Sequence, residues 1–198
     1  MKYHFLILLC LSYLGCQSGK QIDSHDEPIE ASQEVAHSAL LLIPEKGKVY
    51  FQGFPFTGVS IEHYADGQLA VSITYESGKR EGLYRKWYPT GQLSFESAYV
   101  NGKQHGPTMS WWPNGNLRTS SKFIHGVAHG TQWSYYKSGV KFKRLHLVDG
   151  KEEGLQQAWR ENGKIYNNYE AKNGRIFGLK RANLCYELDN EIIQYAEE

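Results

Sequence analysis

Residues 82–105 read GLYRKWYPTGQLSFESAYVNGKQH, and the layout of this stretch returns every 24 residues along much of the chain. Three glycine series keep that interval, and they begin at Gly58, Gly67 and Gly78. Self-similarity at a period of about 20 to 50 residues is typical of proteins in which one structural unit stacks on the next. The sequence therefore predicts a repeat array.

Each unit contains two strand-like runs, of six and eight residues in the quoted stretch, and each run ends at a glycine turn. The first turns include Asp66-Gly67 and the second turns include Asn101-Gly102. Such dipeptides favour type I′ hairpin turns, because both central residues of that turn need positive φ. We predict an all-β fold, an elongated antiparallel β-meander of about five to six β-hairpin repeats in a single twisted sheet. The sheet should lengthen by roughly 10 Å per repeat.

The even period should keep equivalent residues on one face of the sheet. On the first strand of each unit, alternation places a row with His63, Trp87, Trp111, Tyr135 and Trp159 on a side predicted to be apolar. On the second strand, two rows are predicted to extend that side: Leu69, Leu93, Leu117 and Ile165, then Tyr75, Tyr99, Phe123 and Leu147. The pattern blurs between Val140 and Val148, where we expect a bulge or a change of register.

The opposite side is predicted to be mostly polar, and it ends in a second aromatic row: Tyr64, Tyr88, Trp112 and Tyr136. These four are the candidate binding residues, because rigid rings can stack on a glycan or grip an extended peptide. Alternatively the rings only brace the turns. An unpaired edge strand is a further route to a partner.

The N-terminus, MKYHFLILLCLSYLGCQSGK, predicts a signal peptide over residues 1–15. Its ten-residue apolar stretch would cover only about 15 Å as a helix, about half of a bilayer core. Gly15-Cys16 resembles the lipobox of bacterial lipoproteins, although Tyr13 departs from the usual Leu. The resemblance implies a lipid on Cys16, and Gln17 would favour the outer membrane. The alternative is ordinary secretion, with Cys16 removed or left free.

After the anchor, residues 16–40 are predicted to form a flexible acidic tether, with a short helix over residues 28–36 as the alternative. The repeat array should occupy residues 41–188, with a leading cap over residues 41–53, and residues 189–198 should form a C-terminal cap or tail. Cys185 would stand alone, either as a buried apolar residue or as a free thiol.

The composition gives little support for catalysis or for nucleic-acid binding. The net charge is only +1, whereas nucleic-acid binding normally needs a basic surface. His125 and His129 flank a predicted turn, and no phosphate loop or serine elbow is present. We therefore expect no enzyme activity, no cofactor and no metal.

The recurring pattern of YVNGKQHGPTMSWWPNGNL, residues 99–117, resembles the bacterial variant of the MORN (membrane occupation and recognition nexus) repeat, often filed as the YwqK-type antitoxin family. The resemblance covers about residues 50–180 and implies the hairpin fold, and its label would imply a toxin as partner. We expect a membrane-tethered, non-catalytic scaffold that binds an envelope protein or glycan. The alternative is an antitoxin-like protein that neutralises a toxin.

Overall fold

A computed structural model describes residues 33–179. The predicted signal peptide, Cys16, the tether as far as residue 32, Cys185 and the C-terminal tail lie outside the described residues. Inside them, no helix has the length and apolar character that a membrane crossing requires.

The described chain is almost entirely strands and turns, with short 3-10 turns at His37–Ala39 and Pro44–Lys46 and no α-helix in residues 33–179. The strands are β1 Glu34–Ala36, β2 Leu41–Ile43, β3 Lys48–Phe51, β4 Phe54–Pro55, β5 Gly58–His63, β6 Leu69–Glu76, β7 Lys79–Trp87, β8 Leu93–Val100, β9 Lys103–Trp111, β10 Leu117–Ile124, β11 Val127–Ala128, β12 Gly130–Tyr135, β13 Lys141–Val148, β14 Lys151–Glu152, β15 Gly154–Trp159, β16 Ile165–Lys172 and β17 Arg175–Leu179.

The predicted antiparallel meander is confirmed. From β5 to β17 each long strand pairs with the next in one 14-stranded sheet, and β1 joins its edge in parallel with β5. Strands β2, β3 and β4 form a separate small sheet. Strands β11 and β14 are the opening residues of the fourth and fifth repeats, where a break at His129 and at Glu153 separates them from β12 and β15.

The two turns of a repeat differ in type. At the second turn, both central residues have positive φ, as in Asn101 (51°) and Gly102 (80°), which is the type I′ geometry that the sequence predicts. The same prediction is wrong for the first turn. There only the glycine, such as Gly67 at 86°, has positive φ, and the Tyr64 carbonyl accepts from the Gly67 N–H. This pattern is typical of a type I turn followed by a bulge, and the Asp66 carboxylate supports it by accepting from the Gln68 N–H at 3.0 Å.

The glycine series that begins at Gly58 lies within strands or at their first residue rather than at turns. Between β8 and β9, Ser97 pairs with Thr108 and Tyr99 with Gln104, so the single residue Ala98 faces three residues centred on Gly106. Gly106 has φ of 90°, a conformation that is costly for residues with a Cβ. In β7 and β9 this series therefore forms a bulge at equivalent points, and a bulged strand bends.

A second bulge changes the predicted assignment of the faces. In each hairpin the pairing slips by one residue near the first turn, for example between Lys86 and Trp87. Trp87 still pairs with Leu93, but Tyr99 pairs with Gly82 and so lies on the other face. The prediction that Tyr75, Tyr99, Phe123 and Leu147 extend the apolar side is wrong for this reason. The bulge expected between Val140 and Val148 exists, with slippage beside Tyr135, but it recurs in every complete hairpin of the array.

We call the two faces the tryptophan face and the serine face. The tryptophan face carries the cross-strand row Arg85, Glu96, Met109, Ser120, Trp133 and Arg144, together with Trp87, Trp111, Tyr135 and Trp159. The serine face carries the row Ser60, Ile73, Tyr84, Ser97, Thr108 and Ser121. The side predicted to be apolar is thus the tryptophan face, yet it is the more exposed one: Leu83 on it is 39% exposed, whereas Ser97 on the serine face is fully buried.

The serine face is closed at its start by the N-terminal cap. Val35 of β1 and Phe56 form a buried cluster with Ile73 and Tyr75, and residues of the small sheet pack around it. The leading cap predicted over residues 41–53 therefore contributes to the core. The predicted tether extends to residue 40, whereas Glu34–Ala36 forms a strand, so the ordered structure begins earlier than the sequence indicates.

Candidate interaction surfaces

The predicted binding row, Tyr64, Tyr88, Trp112 and Tyr136, connects neighbouring repeats. Each side chain donates a hydrogen bond to a backbone carbonyl 23 residues further along the chain. The Tyr88 hydroxyl, for example, donates to the Trp111 carbonyl at 2.8 Å. The polar tip of every member is therefore engaged within the protein.

The ring faces of this row are also partly covered. Arg118 lies over the Trp112 ring at 4.7 Å, and Phe142 packs against Tyr136 with ring centroids 5.0 Å apart. Burial raises the pKa of the Tyr136 phenol, and the nearby Tyr166 and Glu161 raise it further. Arg160 acts in the opposite direction, but its effect is smaller. The Tyr136 hydroxyl thus stays protonated as the donor to Trp159. These contacts favour the bracing interpretation, although the rings remain half-buried rather than closed off.

A different aromatic group stands on the tryptophan face in the fourth and fifth repeats. Trp133 lies nearly parallel to Tyr135, with ring centroids 6.2 Å apart at 24°, and to Trp159, at 6.2 Å and 18°. Strands β12 and β15 hold these rings on either side of β13, and the rings lean together across it. All three are partly exposed. We call these three residues the tryptophan cluster.

Two cations of β13 complete this surface. The Lys141 ammonium lies 5.1 Å from the centroid of the Trp133 ring, and the Arg144 guanidinium lies 5.9 Å from it. Both positions follow from the register, because Lys141 pairs with Tyr135 and Arg144 pairs with Trp133. Electron-rich ring faces attract cations, so the rings hold the two side chains in place. Neither cation makes an ion pair with any residue in 33–179, in contrast to Arg85, which pairs with Glu96 at 2.7 Å.

Alternation predicts that Tyr135 and Trp159 share one face, and Trp133, two residues before Tyr135, falls on it as well, but alternation does not predict that the three rings form a group. The repeat alignment carries a signal, because Trp133 stands where the other units have Ile61, Arg85, Met109 and Gln157. Likewise Lys141 replaces a leucine or isoleucine of the other units. These departures coincide only in the fourth repeat. The inward lean of the rings is a tertiary feature, so the sequence alone predicts only an irregular pattern at these positions.

Glu81, His105, His129 and Glu153 share one repeat position, which alternates between Glu and His. Side chains at this position contact the next turn. The Glu81 carboxylate accepts from the Asn101 N–H at 2.7 Å, and the Thr57 hydroxyl accepts from the Ser77 N–H at 2.9 Å. His129 faces Asp149 at 3.6 Å in the equivalent place. The sequence indicates a solvated turn site here, and the structure adds a capping role.

Histidines of this region do not assemble into a site. His125 sits in the turn with φ of 50°, and its ring packs 5.0 Å from that of His105. Across residues 33–179, no three His, Cys, Asp or Glu side chains are grouped as metal ligands.

Comparison with known families gives one partial match. Residues 80–101 match the family model described as MORN repeat variant, and this supports a MORN-repeat protein. The matched segment runs from the second residue of β7 to the first central residue of the type I′ turn, which is 22 residues of the 24-residue repeat. Repeats of this family are generally non-enzymatic modules for protein or membrane interaction. No curated protein matches the chain.

Proposed function

We propose that the protein is a non-catalytic scaffold, tethered by an N-terminal lipid at the bacterial envelope, whose repeat sheet binds an envelope protein or glycan. The observation that carries this proposal is the tryptophan face. It presents partly exposed aromatic rings and two cations, Lys141 and Arg144, that make no ion pair with any residue in 33–179.

The site chemistry supports recognition rather than catalysis. Aromatic and Arg side chains are the residue types that dominate binding energy at protein surfaces. Aromatic rings supply large contact areas at low entropic cost, and Arg supplies several hydrogen-bond donors in a fixed plane. Trp133 and Tyr135 of the fourth repeat, Trp159 of the fifth, and Arg144 of β13 bring both types together on the tryptophan face. At the position of Trp133 the other repeats carry Ile61, Arg85, Met109 and Gln157, so of these repeats only the fourth adds a ring there.

Affinity capture from native membranes tests the scaffold. The full chain should retain a specific envelope component. Trp133→Ala should lower the recovery of that component by about fivefold or more, which corresponds to a loss of about 1 kcal/mol of binding free energy. Trp111→Ala is the matched control, because Trp111 shares its repeat position with Tyr135 and Trp159. Trp111 lies beside Met109, whereas Tyr135 lies beside Trp133, so the control removes a tryptophan outside the cluster. Equal losses in both variants would remove the cluster as the binding surface. Capture of a soluble toxin instead would favour the antitoxin-like alternative.

The anchor is tested separately. Cys16→Ser should abolish palmitate labelling and release the protein from the membrane fraction, because the lipid would be attached to that thiol. Persistent labelling, or membrane association without the cysteine, would refute lipid tethering and leave the scaffold proposal to the capture experiment.

A further inference from the structure

The tryptophan cluster has three features that together define a ligand chemistry. Its rings are nearly parallel and partly exposed, so they can contact a flat apolar surface. Ring faces carry negative charge density, which attracts the slightly positive C–H groups of a sugar ring. Lys141 and Arg144 then supply two positive charges beside one of these rings, that of Trp133.

The indole N–H groups add hydrogen-bonding capacity. Within residues 33–179, neither Trp133 nor Trp159 donates its indole N–H to a protein acceptor, whereas the Trp112 indole donates to the Tyr135 carbonyl at 3.1 Å. A ligand with several hydroxyl or carboxylate oxygens would supply these acceptors. A purely apolar ligand would leave both the indoles and the cations without partners.

The position in the sheet distinguishes a saccharide from a peptide. Strands β12, β13 and β15 are central, and each pairs on both sides. Extended peptides gain much of their affinity by pairing with the free backbone of an edge strand, and no such backbone is available at the cluster. Recognition there must come from side chains: ring stacking, charge and indole donors.

We propose that the tryptophan cluster, with Lys141 and Arg144, binds an acidic saccharide, one whose sugar rings carry carboxylates. The sugar rings stack on Trp133, Tyr135 and Trp159, and a carboxylate pairs with the Arg144 guanidinium, which can present two parallel N–H donors. Lys141 contributes a second positive charge. The inference rests on the proposed scaffold function and specifies its ligand.

Titration of the full chain in detergent with oligogalacturonate provides the test, read out by tryptophan fluorescence. The fully methyl-esterified oligosaccharide is the neutral control, since it keeps the sugar rings and removes the charges. We expect saturable binding of the acid form, at least tenfold weaker binding of the ester, and at least fivefold weaker binding of the acid form to Arg144→Gln. Lys143→Gln is the matched variant, because Lys143 lies on the same strand with its pairing partner Ser134 on the serine face.

Three results would overturn the inference: absence of saturable binding to the acid form, equal affinity for acid and ester, or equal effects of Arg144→Gln and Lys143→Gln. Circular dichroism of each variant separates misfolding from lost contacts, and Trp159→Ala provides a second cluster variant with the same expected loss. If membrane capture depends on Trp133 while no acidic saccharide binds, the saccharide inference fails and the scaffold stands. If capture fails as well, both fail.

Discussion

At the scale of single residues, side-chain hydrogen bonds connect each repeat to the next. Tyr88 reaches the Trp111 carbonyl, and Glu81 reaches the backbone of the following turn at Asn101. Each such bond is worth about 1 kcal/mol, and more when one partner is charged. Because the bonds recur at equivalent positions, small local energies add up along the array.

The bracing role of Tyr88 predicts a specific loss of stability. Tyr88→Phe should lower the free energy of unfolding by about 1 kcal/mol, because the hydrogen bond to the Trp111 carbonyl is lost while the ring remains. Denaturant unfolding measures this difference. Tyr135→Phe is the control, since the Tyr135 hydroxyl has no hydrogen-bond partner within residues 33–179. If Tyr88→Phe preserved stability and reduced membrane capture, the row would be a binding site.

Tyr169 predicts a stability change at alkaline pH. The residue is buried and donates to the Glu152 carboxylate at 2.8 Å, and burial together with this bond raises the pKa of its phenol well above the usual range. The folded-state pKa exceeds the unfolded value of about 10, so the contribution is complete below pH 10 and is lost as the pH rises above it. At neutral pH, Tyr169→Phe should be less stable by about 1 to 3 kcal/mol.

The test compares unfolding of wild type and Tyr169→Phe between about pH 8 and pH 11. Wild type should lose stability faster above pH 10, so the gap between the two proteins should narrow. A gap that stays constant through this range would contradict the assignment.

At the scale of elements, two bulges per repeat shape the sheet. One slip near the first turn moves Tyr99 and its equivalents to the serine face, and the bend at Gly106 and its equivalents follows in the next strand. On the serine face Tyr84 packs against Phe95 and Tyr99. Ser97 and Thr108 are buried on the same face, and their hydroxyls lie 2.7 Å apart.

The bend predicts a conformational cost at Gly106. A Cβ there would meet its nearest neighbour, Ala98, at 4.0 Å, so a substitution suffers from the positive φ rather than from a clash. Gly106→Ala should destabilise the protein by about 1 to 2 kcal/mol in denaturant unfolding. Gly106→Asn is the matched comparison and should cost less, because Asn tolerates positive φ better. An equal cost for both would point to packing instead.

Much of the array could be predicted from the sequence, because glycine spacing and strand-like runs are local signals. The type I′ turns follow from dipeptides such as Asn101-Gly102. The face of the second-strand row Tyr75, Tyr99, Phe123 and Leu147 could not be predicted, because the one-residue slip beside Trp87 leaves no mark in the alternation of residues. The tryptophan cluster could not be predicted either. Its rings stand on β12 and β15, which are separated by β13, and they come close only because the side chains lean towards each other across that strand.

At the scale of the whole molecule, the described sheet behaves as a linear series of equivalent hairpins with a cap that buries Val35 and Phe56 at its first strands. Contacts between adjacent strands dominate, so stability should be close to a sum of repeat and neighbour terms. Whether the array tolerates a change should therefore depend on whether the change keeps the repeat period, rather than on any single core residue.

Removal of one full period should therefore be tolerated. Deleting residues 103–126 joins the turn after Val100 to Val127 in register, and the shortened chain should unfold cooperatively with a smaller denaturant m-value. Deleting residues 103–125 is the matched control, because a 23-residue deletion reverses the faces downstream. Circular dichroism melts of the two proteins should differ sharply. Similar cooperative unfolding of both would contradict the fixed register.

The central claim is that the tryptophan face meets the partner, and site-specific photo-crosslinking in native envelopes tests it most directly. Ser120 and Ser121 are adjacent on β10, but Ser120 pairs with Trp133 on the tryptophan face and Ser121 pairs with Thr108 on the serine face. A benzophenone amino acid at each position probes one face, and folding of both proteins is checked first. We predict a crosslinked envelope component from position 120 and none from position 121. Crosslinking only from position 121, or equally from both, would contradict the account.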